Sequence, residues 1–198
     1  LIDGSYIFKA MKNYRRIHTD YADQGLDYVK LRREITEHFK ITDMDAFYFS
    51  STPGKPYESQ DQFHAWLKTA APKGPNIRVK LYSLKEKTYH CPNCGHSLTI
   101  SVQKGVDVGI ATVALRLFSH YDCLILSAGD GDFEDCIQYI VEDNDRRLFL
   151  AVFDGSVSPD IQQYSSGIYY INEHYSEVCD TRNMPHAIAI EASSTSLP

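Results

Sequence analysis

The sequence predicts an α/β fold: a Rossmann-like three-layer sandwich with a mostly parallel sheet, plus a β-hairpin insert. Two observations carry this. Short apolar runs of strand length ("DAFYFSS", "DCLILSA", "RLFLAVF") alternate along the chain with segments of helical spacing, the order that places crossover helices on both faces of a parallel sheet. One later segment, "KEKTYHCPNCGHSLTISVQK", interrupts that order with two short strands about a tight Pro-Asn-Cys-Gly tip, which is hairpin chemistry. A hydrophobic content of 43% over 198 residues supports one sizeable core. No apolar run approaches the roughly 20 residues a membrane helix needs.

Taken in order, "LID" is a strand end running into the short helix "GSYIFKAMKNY". Leu26 to Phe39 carries apolar residues at 26, 29, 31, 35 and 39, a helical spacing. "DAFYFSS" is short and aromatic, hence a strand. "SQDQFHAWLKTAA" is a helix opened by Ser59 and closed before Pro72, with Phe63 and Trp66 toward the core. "NIRVKLYSL" alternates as a strand and leads into the hairpin. "VDVGIATVALRLFS", Val106 to Ser119, is apolar nearly all round and predicts a buried helix. A central strand "DCLILSA", a helix "DFEDCIQYIVED", a buried strand "RLFLAVF", a short helix "SPDIQQYS" and a final strand "GIYYIN" follow. From Arg182 the chain turns polar and ends "EASSTSLP", a frayed tail. The expected organisation is one domain over 1–175, with the hairpin insert at 85–103 and a tail over 176–198. The chain opens on a strand end, which leaves room for residues upstream of Leu1.

The charge is unevenly spread. Residues 1–72 carry ten basic and ten acidic groups. Residues 73–104 carry six basic groups (Lys73, Arg78, Lys80, Lys85, Lys87, Lys104) against Glu86, and residues 105–198 carry four basic and fifteen acidic. The net charge of −6 argues against a generic nucleic-acid coat. An acidic half beside a basic segment fits a metal centre next to a polyanion track; a solvated basic hairpin fits it equally. The five cysteines form an odd count without a regular framework, which points to a reducing compartment and a cytoplasmic location.

In parallel sheets, sites lie outside the carboxyl ends of the strands. That rim is where Asp3, after the first strand, and Asp130 and Asp132, after "LILSA", are expected, with Asp154 after "LAVF". Asp107 opens an otherwise apolar helix. Singly, Asp3 is as well explained as a helix cap and Asp107 as compensation of a helix dipole. Together, four carboxylates at element ends would raise one another's pKa unless a cation intervenes. Hard oxygen ligands select Mg²⁺ or Mn²⁺, ions that serve phosphoryl chemistry.

The blocks "LIDGSYIF", "QKGVDVGIATVALRL" and "LILSAGDGDFEDCI" resemble, in order and spacing, the three signature blocks of the NYN domain, the LabA-like branch of the PIN-like nuclease superfamily. The resemblance runs from Leu1 to about Asn172. It implies a PIN-like fold and a divalent-metal ribonuclease centre that leaves a 5′-phosphate and a 3′-hydroxyl. By position, Asp3, Asp107, Asp130 and Asp132 would be the catalytic metal ligands, and Lys104 in "KGVD" a phosphate contact. The chain departs from the family at Tyr6, where an Asp-Gly-Ser-Asn block has Asn. Tyr6 supplies no amide; it is read either as a stacking surface for a base or as packing. Ser5 is a polar contact to substrate or a helix N-cap.

Two further readings stay open. In "HCPNCGH", Cys91 and Cys94 form one Cys-x₂-Cys pair flanked by His90 and His96, whereas a structural zinc site usually needs two pairs. The ligand count favours a metal-free turn with a reduced dithiol; zinc held with a flanking histidine, or across a homodimer, is the alternative. Tyr57, Tyr82 and Tyr89 near the basic segment suit single-stranded RNA or packing, and Arg15 and Arg16 suit backbone phosphates or solvent. Functionally, a metal-dependent ribonuclease leads; a catalytically impaired RNA-binding or assembly module, marked by Tyr6, is second. A dehalogenase-type phosphatase wants Asp-x-Asp on the first strand, and a dinucleotide enzyme wants a glycine-rich first turn. Neither motif is present.

Overall fold

The computed structural model describes residues 1–53 and 58–180. The expectations attached to Tyr57 and to the polar segment from Arg182 lie outside the described residues. Strand β1 (Ile2–Asp3) pairs in parallel with β3 (Phe47–Thr52), and β3 with β4 (Arg78–Ser83). Strand β7 (Cys123–Leu126) pairs in parallel with β8 (Arg147–Val152), and β8 with β9 (Ser165–Tyr170). A parallel bridge between Ile2 and Ser127 joins the two halves. There the Asp3 N–H donates to the Ser127 carbonyl at 3.0 Å and the Ser127 N–H to the Leu1 carbonyl at 2.8 Å. The spatial order is therefore β4-β3-β1-β7-β8-β9. The chain builds outward from β1 on one side, then returns and builds outward on the other, so the β1/β7 seam is the topological switch point of the sheet.

Helices cover both faces. On one lie α1 (Gly4–Ile17), α2 (Tyr28–Phe39), α3 (Glu58–Lys68) and α7 (Tyr175–Val178), around Ile7, Leu31, Phe63, Leu67 and Tyr175. On the other lie α4 (Val106–Arg116), α5 (Glu134–Gln138, continued by a π-turn at Tyr139–Asp143) and α6 (Pro159–Gln162), around Ile110, Val113, Ile137, Ile140 and Ile161. The strands serve both layers through their period of two. Phe47 and Phe49 join the α4 side, whereas Tyr48 between them joins the α2 and α3 side. In β8, Leu148, Leu150 and Val152 face α4 and α5, while Phe149 stacks on Phe39 of α2 with ring centroids 4.4 Å apart.

Three expectations change. The helix predicted from Leu26 begins at Tyr28, because the Asp27 carboxylate caps it, accepting from the Val29 and Lys30 N–H groups at 2.8 and 3.3 Å. Gly25–Leu26 instead form β2, antiparallel to β10 (Cys179–Asp180). Packed chain consequently extends past the boundary at 175: Val178, Cys179 and Asp180 are buried. Helix α4 is not buried all round. Val106, Ile110 and Val113 face the sheet, but Val108 is 71% and Leu115 42% exposed; a mixed layer needs only one covered side of a helix, whatever the composition of the other. The hairpin forms as expected, from β5 (Lys85–His90) and β6 (Ser97–Val102) in antiparallel register, and β5 is exposed along its whole length.

Candidate active site

Asp3 ends β1 and caps α1. Its Oδ1 accepts from the Ser5 N–H at 2.8 Å and the Tyr6 N–H at 3.2 Å, satisfying two of the helix's orphan donors. The cap and rim readings of this residue are thus both met: one oxygen is tied to backbone, and the side chain is buried, 8% exposed, at the switch point. Asp130 leaves β7 across the seam and accepts from the Asp132 N–H at 3.1 Å, turning the chain into the short helical turn Gly131–Phe133. Asp132 and Asp130 are exposed on that turn. Asp107 sits in the first turn of α4.

The charges of these residues act on each other. Burial pushes the Asp3 carboxyl above its ordinary range, and the Asp107 charge adds to that; the Tyr6 and Ser5 N–H groups and Lys9 oppose it. Asp107 is exposed by surface area, yet partial desolvation raises it, then Asp130 and Asp132 raise it further, against its own backbone N–H and Lys9. The Asp107 charge thus acts on Asp3, and the charges of Asp130 and Asp132 act on Asp107. As placed, no three His, Cys, Asp or Glu side chains among the described residues are gathered at ligand distance. The donor set nevertheless has the chemistry of a hard divalent cation site: carboxylate oxygens whose mutual repulsion a cation would relieve.

The other predicted residues divide. The Ser5 Oγ donates to Gln103 Oε1 at 2.6 Å, tying the start of α1 to the segment that leaves the hairpin. Lys104 follows, exposed, two residues before α4. The Tyr6 hydroxyl bonds Ser156 Oγ at 2.7 Å and accepts from the Phe153 N–H at 3.1 Å, so the phenol points into the 153–156 turn. Asp154 is exposed in that turn, its N–H donating to Asn172 Oδ1 at 2.7 Å. Arg15 donates to the Gln24 carbonyl at 3.0 Å. Tyr82, offered to RNA by the sequence, lies beneath α4. A methyl built on Gly109 would stand 1.8 Å from its hydroxyl oxygen, so this glycine lets the helix carrying Asp107 settle on the Tyr82 ring. Gly109→Ala is accordingly expected to lower stability, where an alanine in an ordinary helix interior would raise it by about 1 kcal/mol; urea unfolding of the two chains checks the sign.

Sequence reasoning missed Lys9, the cation acting on both Asp3 and Asp107. A signal existed: Lys9 lies four residues after Ser5, one turn along the same face of α1. It also missed Asp160. Its Oδ2 accepts from Ser158 Oγ at 2.8 Å and would stand 3.2 Å from a methyl on Gly131, beside the turn that carries Asp130 and Asp132. No local pattern marks it.

The structure is a parallel α/β sheet whose switch point has Asp3 at the end of β1 and Asp130 and Asp132 just after β7. The NYN domain matches residues 1–172, and the chain belongs to this family, within the PIN-like nuclease superfamily. No curated protein matches the chain. Among solved structures, it is similar to a protein of unknown function from Vibrio parahaemolyticus, at 18% identity and a TM-score of 0.56, over 86% of this chain and 90% of that one. That likeness bears on the fold. Among the described residues, no helix is long and apolar enough to cross a membrane.

Proposed function

We propose that this chain is a divalent-metal-dependent ribonuclease that hydrolyses phosphodiester bonds of single-stranded RNA, with Asp3, Asp107, Asp130 and Asp132 as the ligands of Mg²⁺ or Mn²⁺. The observation that carries the reading is the placement of Asp3 and of Asp130 and Asp132 at the exits of the two strands that meet at the sheet's switch point, with Asp107 in the first turn of α4, in a chain of the NYN family. A divalent ion held there supplies Lewis acidity and neutralises phosphate charge. The residues of the chain do the rest. Asp3 is fixed by its two backbone N–H bonds, so its free oxygen has a defined direction. Lys9, whose charge acts on Asp3 and Asp107, and Lys104, exposed three residues before Asp107 in the chain, would offer cations to phosphate oxygens. The Ser5–Gln103 bond holds the α1 end against the approach to α4.

The decisive experiment incubates the full chain with labelled single-stranded RNA in Mn²⁺, Mg²⁺ or chelator. Cleavage that needs the ion is expected, with 5′-phosphate products. Tight RNA binding without cleavage in any ion would replace this reading with the second one, a catalytically impaired RNA-binding module, which the tyrosine at position 6 favours because it supplies no amide. Binding of the ion itself is separately measurable. Mn²⁺ at about 100 times its dissociation constant stabilises a folded chain by about 2.7 kcal/mol, which for this size is a rise of about 5–10 °C in Tm. Asp107→Asn is expected to remove most of that rise.

A further inference from the structure

The hairpin takes no part in the acid site, yet its tip is ordered in a particular way. The Cys91 N–H donates to the His96 carbonyl at 2.8 Å and the Gly95 N–H to the Cys91 carbonyl at 2.9 Å, and Gly95 takes a left-handed φ of +70°. The backbone N–H groups of Asn93 and Cys94 face the Cys91 sulfur. This turn brings the Cys94 thiol and two amide donors beside the Cys91 sulfur, as turns do in which a Cys-x₂-Cys pair holds a metal as thiolates. Both cysteines are free, and Cys94 is exposed.

The hairpin also lacks what a hairpin ordinarily needs. Two strands without a covering layer are marginal in water, and here β5 is exposed throughout. At its distal end Tyr89 and Leu98, cross-strand partners, remain 46% and 53% exposed. Among the described residues no third His, Cys, Asp or Glu joins the pair, and His90 engages Ser97 Oγ through Nδ1 at 2.8 Å. Two sulfurs are half of a Cys₄ tetrahedron. A two-fold axis through the ion would supply the other half from an identical tip, and such an interface is self-complementary by construction. It would also bring together the exposed Tyr89 and Leu98 of both copies. A zinc tetrathiolate carries a net charge of −2, which suits a segment holding Lys85 and Lys87 against Glu86.

We propose that Cys91 and Cys94 form half of a structural zinc site that a second copy of this chain completes, joining two hairpins tip to tip. Binding releases the thiol protons, so it weakens on acidification. The test titrates the full chain, reduced and metal-free, with Zn²⁺ alone in the Asp107→Asn background, so that the acid site does not add to the count. Bound zinc is measured by elemental analysis and mass in solution by light scattering. The expected result is one zinc per two chains, a monomer converted to a dimer by zinc and restored by chelator, and with Co²⁺ the strong visible absorption of a tetrahedral thiolate site. Cys91→Ser and Cys94→Ser are each expected to lose zinc and dimer while far-ultraviolet circular dichroism of the domain stays unchanged. A joint His90→Gln and His96→Gln change is expected to keep both. One zinc per chain in a monomer, zinc lost with the histidines, a dimer indifferent to zinc, or no zinc bound overturns the proposal. None of these outcomes depends on whether the acid site cleaves RNA.

Discussion

Asp3→Asn is expected to remove metal-dependent RNA cleavage, by about 10²–10³-fold or more, while leaving the chain as stable as before or more so at neutral pH. The substitution separates two jobs of one side chain. Asparagine is as good an N-cap as aspartate, so its Oδ1 continues to accept from the Ser5 and Tyr6 N–H groups, which stand at 2.8 and 3.2 Å from Asp3 Oδ1. What disappears is the charge, which burial and Asp107 disfavour. Asp3→Ala would lose both and confuse a folding defect, about 1 kcal/mol for a lost cap, with a catalytic one.

The sign of the pH dependence follows from the same shifts. Asp3 and Asp107 both have folded pKa values raised above the unfolded ones. Their contribution to stability is fully present below the ordinary carboxylate value near 4 and is lost as pH rises through the raised folded values. The metal-free chain is therefore expected to lose this contribution as pH rises above about 4, and the Asp3→Asn, Asp107→Asn chain to lose less. Urea unfolding across that range, with chelator present, reads the difference; parallel pH curves for the two chains would show that the carboxylates do not repel one another in the fold. Undiminished metal-dependent cleavage by Asp3→Asn would end the assignment of Asp3 as a ligand.

Gly129→Ala is the second change with a large expected effect, although it alters no chemical group of the site. A methyl there would stand 2.2 Å from the Ser156 carbonyl oxygen and 2.7 Å from Tyr6 Cε2. Neither neighbour can step aside cheaply. The Tyr6 ring is held by its hydroxyl, bonded to Ser156 Oγ and to the Phe153 N–H. The 156–158 backbone is tied to the same loop, the Ser158 N–H donating to the Gly129 carbonyl at 2.9 Å. Overpacking of this kind costs about 1–3 kcal/mol, and we expect the upper part of that range because one clash is with backbone. The loop displaced is the one that delivers Asp130 and Asp132, so cleavage should fall further than the folded fraction does. A urea midpoint shift at constant slope, compared with activity well below the midpoint, separates the two losses. Wild-type stability in Gly129→Ala would mean that the Tyr6–Ser156 contact is not rigid.

The same contact explains what happened to Tyr6 between sequence and structure. As a letter in "LIDGSYIF" it stood where the family has an amide, and an aromatic there was as readable as a base-stacking surface as it was as packing. The fold turns its hydroxyl inward, because the 153–156 turn, about 150 residues away, offers an N–H and a hydroxyl at hydrogen-bond distance. Tyr82 was decided similarly, by a glycine in α4 that leaves room for its ring. Lys9 was available to helical spacing and was overlooked. Asp160 was not available, since its closeness to Gly131 arises from the packing of α6 against the turn after β7.

Element order and type were legible in the residues because each depends on neighbours within a turn or a strand: the period of two in β3, the cap before α2, the tight tip of the hairpin. Local patterning also put Asp3, Asp107 and Asp130 at element ends, and the signature blocks placed the chain in its family. It did not determine that β1 lies between β3 and β7. That seam is set by pairings across more than a hundred residues, such as Asp3 with Ser127, and no periodic signal spans such a separation. The exposed side of α4 and the strand pairing that secures the chain through Asp180 were likewise tertiary outcomes. Hydrophobic composition says how much surface a segment can bury; only the surrounding layers decide how much it does.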